Sequence, residues 1–107
     1  MRTHTVKMLE RKFEERFLNR LRSLPKTWWP EKTDSLSRGL PDRIGSVGGF
    51  FVALEFKINK SEANKNTGRI VLQKHRLEKI RKSGGLGFIV FPGNADEIYK
   101  KLKELTA

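Results

Sequence analysis

The sequence predicts a mixed α/β domain, with helices packed on a small central sheet. Three observations carry that expectation. Apolar residues recur at helical spacing near the N-terminus and again after residue 70, as in Phe13, Phe17, Leu21 and Leu24. The segment Phe50 to Ile58 (FFVALEFKI) is aromatic and β-branched, the mark of a strand. The two kinds of segment alternate along the chain, and 107 residues suit one domain, 1–107, with one hydrophobic core.

The first helix is expected from about Val6 to Leu24, with Arg11, Lys12, Glu15, Arg16, Arg20 and Arg22 on its polar faces and Pro25 as its stop. Residues 26–38 are polar apart from Trp28, Trp29 and Leu36, with room for a short strand at the tryptophans. Gly39-Leu40-Pro41 opens an extended segment from Asp42 to Val47, and Gly48-Gly49 is a turn signal that makes a hairpin with Phe50 to Ile58. Residues 59–69 (NKSEANKNTGR) read as a mobile basic loop. A second helix follows from about Ile70 to Lys82, with Ile70, Leu77 and Ile80 inward, closed by Ser83-Gly84-Gly85. Gly87 to Phe91 reads as a buried strand, Pro92-Gly93-Asn94 as a turn, and Ala95 to Leu105 as a last helix.

Apolar residues make up 36% and charged residues 33%, so the expected core is small and the surface heavily charged. The 23 Lys and Arg outnumber the 12 Asp and Glu, for a net charge of +11. Such an excess repels itself and is usually matched by a polyanion, above all nucleic acid. With no cysteine, thiolate catalysis, disulfides and Cys-type zinc sites are excluded; His4 and His75 are too few and too scattered for a histidine metal site. No apolar run approaches the ~20 residues that span a bilayer, and the charged start does not resemble a secretory signal, so a soluble, cytoplasmic protein is expected.

Alternation along the Phe50 to Ile58 strand puts Glu55 and Lys57 on one face and Phe56 on the other. A carboxylate at the end of so apolar a run costs several kcal/mol unless a cation or a hydrogen-bond donor compensates. The plain alternative is a structural Glu–Lys pair at the sheet margin. The hairpin can bring Asp42 near Glu55, and two carboxylates held together make a divalent cation their natural third partner. Gln73 projects from within the apolar stripe of the second helix, fit either to bond a backbone carbonyl or to point into a site. Glu14 and Glu10 lie one turn apart beside the Phe13/Phe17 stripe, where solvated helix charge is the ordinary use.

Gly39-Leu40-Pro41-Asp42, thirteen positions from Asp42 to Glu55, and then Glu55-Phe56-Lys57 resemble the PD-(D/E)XK nuclease superfamily, and more narrowly the small VRR-NUC domains of phages and bacteria. The Phe13-Glu14 helix, the FVALEFK strand and Leu72-Gln73 follow in the family's order. The resemblance implies a restriction-endonuclease-like αβββαβ core with a small mixed sheet flanked by helices. It implies hydrolysis of DNA phosphodiesters with Mg²⁺, or Mn²⁺ in its place, often selective for branched, flap or Holliday-junction DNA and often by dimers. Carried over by position, Asp42 and Glu55 would be metal ligands, joined by the backbone carbonyl of Phe56. Lys57 would be the motif lysine, Gln73 the motif glutamine and Glu14 the helix carboxylate, with Glu10 competing for that role.

Lysines and arginines surround this constellation. Arg38 and Arg43 bracket the GLPD run, while Lys60, Lys65, Arg69 and Lys74 follow the catalytic strand, all suited to DNA phosphates. Trp28 and Trp29 suit core packing, a dimer contact or stacking on unpaired bases, and the Phe50–Phe51 edge favours a homodimer. The rival class is a non-catalytic basic nucleic-acid-binding module whose carboxylates serve structure.

Overall fold

The first helix, α1, spans His4–Arg22 and buries Phe17 and Leu21 of the expected stripe together with Glu14 and Leu18, while Phe13 is half-buried. The protein's computed structural model describes residues 4–31, 40–65 and 67–107. Past the helix end, the Thr27 hydroxyl donates to the carbonyls of Leu21 and Leu24, which turns the chain into the short strand β1, Thr27–Trp28. The hairpin follows as β2, Arg43–Val47, and β3, Phe50–Phe56. Its two-residue turn places Gly48 at φ +57 and Gly49 at φ +88, the left-handed pair that a tight hairpin requires. A Cβ on Gly48 would also collide with the Leu105 carbonyl.

Beyond β3 the chain departs from the expected mobile loop. Asn59 accepts a hydrogen bond from the Glu62 amide at 2.9 Å and starts a helical turn, α2, over Lys60–Ala63, whose Ala63 is buried. An Asn cap with a small apolar residue to bury was enough to order this polar stretch. Helix α3, Gly68–Lys82, buries Ile70, Gln73 and Leu77, whereas Ile80 is half-buried. Strand β4, Leu86–Val90, and helix α4, Ala95–Glu104, complete the chain.

The four strands form one open mixed sheet in the order β1-β2-β3-β4. The first three run antiparallel, while β4 lies parallel to β3 after the crossover through α3. Val52, Leu54, Phe56 and Val90 face α1 and α4 in the main core, with Phe17, Leu18, Leu21, Ile98 and Leu102. Phe13 and Phe17 each meet Phe56 edge-on with centroids 5.8 Å apart. The alternate residues Ala53, Glu55 and Lys57 face α3 on the opposite side. A Cβ on Gly87 would lie 3.2 Å from Leu77, so this glycine lets α3 settle closely on β4. The result is a three-layer α/β arrangement with a polar group, Glu55, in its middle layer. No helix among the described residues is long and apolar enough to cross a membrane.

Candidate active site

The register decides which acids can meet. Arg43 pairs with Leu54 and Ile44 with Ala53, so one step further out Asp42 comes opposite Glu55, on the α3 face. Asp42 precedes the ladder, and its Oδ2 accepts the Phe56 amide at 2.8 Å in place of a strand partner. That bond fixes the Asp42 carboxylate at the end of β3. It also leaves Asp42 half-buried, at the mouth of the site, with Glu55 behind it at 1% exposure.

Glu55 is held by one neutral donor. Gln73 Nε2, from α3, donates to Glu55 Oε1 at 3.1 Å. Glu55 Oε2 and Gln73 Oε1 are buried and accept no hydrogen bond from the described residues. Burial, then the charge of Asp42 and a hydrogen bond with it, push the Glu55 carboxyl up from 4.5 to about 9. The charges of Lys57 and Arg69 pull the other way. The metal-free site at neutral pH therefore keeps a proton on Glu55, which then donates to Asp42. A proton held between a buried acid and its half-buried neighbour marks a place where a cation is electrostatically welcome.

Lys57 lies two residues past Glu55 on the same face and is also buried, at 5% exposure. Its amide donates to the Val90 carbonyl at 2.9 Å, so the parallel pairing with β4 continues to the lysine and fixes its backbone. Arg69 stands at the start of α3, exposed yet close enough for its charge to act on Glu55. Asp42, Glu55, Lys57, Gln73 and Arg69 thus gather at the C-terminal end of β3.

Two expected members lie elsewhere. Glu14 accepts from Arg43 Nε at 2.6 Å, with side chains only 7% and 10% exposed. Arg43 is one residue from Asp42 in the strand, and adjacent strand residues point to opposite faces, so it turns toward α1. Among the described residues no three Asp, Glu, His or Cys side chains come together as a cation cage, and Glu14 does not join the Asp42–Glu55 pair. Arg43 likewise presents little of its guanidinium to solvent, which corrects its expected place on a DNA surface. Strand alternation was the signal available for both.

Of the remaining cations, Lys60 is exposed, Lys65 pairs with Glu62 at 2.9 Å, and Lys74 reaches the Lys65 carbonyl at 3.4 Å. Arg38 and Gly39 lie outside the described residues. Trp29 is buried in the main core, whereas Trp28 is 66% exposed. Comparison of the chain with known protein families, with curated proteins and with solved structures finds no match.

Proposed function

We propose that this domain is a metal-dependent endonuclease that hydrolyses DNA phosphodiester bonds. The observation that carries the reading is the close approach of the Asp42 and Glu55 carboxyls at the end of one strand, beside the charges of Lys57 and Arg69. A purely structural acid at this depth would be expected to have its oxygens satisfied, yet Glu55 Oε2 accepts no hydrogen bond and is answered only by the proton it shares with Asp42. The element order, one helix, three strands, two helices, a strand and a last helix, supports the αβββαβ reading that the sequence resemblance implies.

The donor set suits a hard divalent ion. Two carboxylates fit Mg²⁺ or Mn²⁺, which retain water and phosphate oxygens as their other ligands. Asp42 and Glu55 would hold it, with the Phe56 carbonyl as a third oxygen, since Phe56 lies beyond the last β2–β3 pair and its amide already points to Asp42. Bound there, the ion would supply Lewis acidity to the phosphate and lower the pKa of a water molecule.

The chain's own residues do the rest. Asp42, at the mouth, meets the incoming backbone first. Glu55 would hold the ion as a full anion, with its proton released to solvent. Gln73 keeps Glu55 oriented through its Nε2 and offers a free Oε1 to orient a water. Lys57 places a positive charge where negative charge gathers on the phosphoryl oxygens, a role worth about a hundredfold or more in rate. Arg69, Lys60 and Lys65 line the approach from α2 and α3, suited to backbone phosphates.

The test is cleavage of linear, flayed and four-way-junction DNA with Mg²⁺ or Mn²⁺, for wild type and for Asp42→Ala, Glu55→Ala and Lys57→Ala. The proposal expects cutting to be lost while binding persists, with branched substrates cut ahead of linear duplex. Intact DNA under every metal condition would instead support a basic binding module.

A further inference from the structure

Helix α3 covers only half of its side of the sheet. The Arg81 Nε donates to the Gly87 carbonyl at 2.9 Å, which ties one flank of the helix to β4. Its other flank carries Arg69, Leu72 and Arg76, spaced three and four apart. Of the four strands, α3 packs chiefly on β4 and β3.

The residues left bare are apolar and adjacent. Trp28 pairs with Ser46 and Ser46 with Phe51, so the three form one row across the sheet. Ile44 stands in the next row, beside Ala53. Trp28 is 66% exposed, Phe51 47% and Ile44 45%. The row beyond holds Asp42 and Glu55, so the apolar strip runs into the candidate active site. No carboxylate interrupts it on β1, β2 or β3 until that pair, and Arg69 and Arg76 border it along α3.

We propose that this strip is a stacking platform for the unpaired bases of a nucleic-acid strand whose backbone runs along the Arg69–Arg76 flank into the Asp42–Glu55 site. The inference rests on the hydrolase reading and adds a binding surface with its own ligand chemistry. Trp28 and Phe51 are separated by the width of two strand spacings, roughly 10 Å, which leaves room for successive bases. Base faces are buried within a duplex, so a surface of this chemistry favours single-stranded segments. Charge selects between occupants. A second copy of a chain with net charge +11 would oppose arginine to arginine across the strip, whereas a polyanion neutralises them.

The experiment is binding of a short oligothymidylate and of a blunt duplex in excess EDTA, where no cleavage takes place. Trp28 is its fluorescent reporter and buried Trp29 the internal reference. Single strand should quench the exposed tryptophan and bind more tightly than duplex. Trp28→Ala and Phe51→Ala should each weaken single-strand binding by roughly tenfold to a hundredfold, and Trp28→Phe should recover most of the loss. Undiminished binding by both alanine variants would overturn the proposal. So would a light-scattering mass of a dimer that Trp28→Ala converts to monomer with oligonucleotide affinity unchanged, since a second copy would then occupy the strip. Cleavage assays with Mg²⁺ run separately, so a catalytically silent protein that still stacks bases would count against the hydrolase reading and not against the platform.

Discussion

At the scale of single residues, Glu55 is the group whose environment departs furthest from water. Its carboxyl is raised to about 9, so in the metal-free protein it stays protonated where the unfolded chain would ionise it. The sign follows from linkage. Below about pH 4.5 both states hold the proton; between about 4.5 and 9 only the folded state does, so stability from this group falls as pH rises through that window. Glu55→Gln removes the titration and keeps the shape. Urea melts in EDTA should therefore show a flatter pH dependence for the variant, with a gain on the order of 1–3 kcal/mol over wild type near pH 9. Mg²⁺ or Mn²⁺ should stabilise wild type more as pH rises and leave Glu55→Gln nearly unmoved. An identical pH slope for the two proteins would remove the basis for a shared proton. The sequence exposed Glu55 and Asp42 as a pair, because a carboxylate in FVALEFK is costly whatever surrounds it. It did not show that Gln73 would supply the one neutral donor.

At the scale of elements, the Glu14–Arg43 pair joins α1 to the start of β2, one residue from Asp42. Both side chains are largely withdrawn from water, so removing one strands the other's charge. Glu14→Ala should cost about 3 kcal/mol, seen as a lowered thermal midpoint. Glu14→Gln with Arg43→Met should recover much of it, because no charge is then left unpaired. If Glu14→Ala instead kept its stability and abolished cleavage, the helix carboxylate would belong to the chemistry after all. The helices and strands were legible in the sequence to within a few residues, because periodicity and the Gly48–Gly49 turn are local signals. The exception was α2. Its polar composition resembles a loop, and only the burial of Ala63 and the Asn59 cap distinguish it.

At the scale of the whole molecule, the charge of +11 bears on the DNA binding proposed above. Contacts to backbone phosphates release counterions, so the logarithm of DNA affinity should fall linearly with the logarithm of salt concentration. Arg69→Ala and Lys60→Ala should each lower the slope by about 1 with little change in sequence preference. A slope near zero for the wild type would mean that the basic excess serves something other than phosphate contact. Arg43→Met should leave the slope unaltered, since that guanidinium is spent on Glu14.

What the sequence determined by itself was local: where chain segments coil or extend, which strand carries Glu55 and Lys57 on one face, and that the chain carries a large positive excess. Those properties depend on side-chain spacing and composition, which need no neighbours to be read. Only the tertiary structure decided that Trp29 enters the core while Trp28 stays outside, that Arg43 binds Glu14, and that Ile44 and Phe51 stay exposed on the sheet face that carries Trp28. Each of these depends on which of two near-equivalent groups a distant element covers, and burial is a property of the assembled layers.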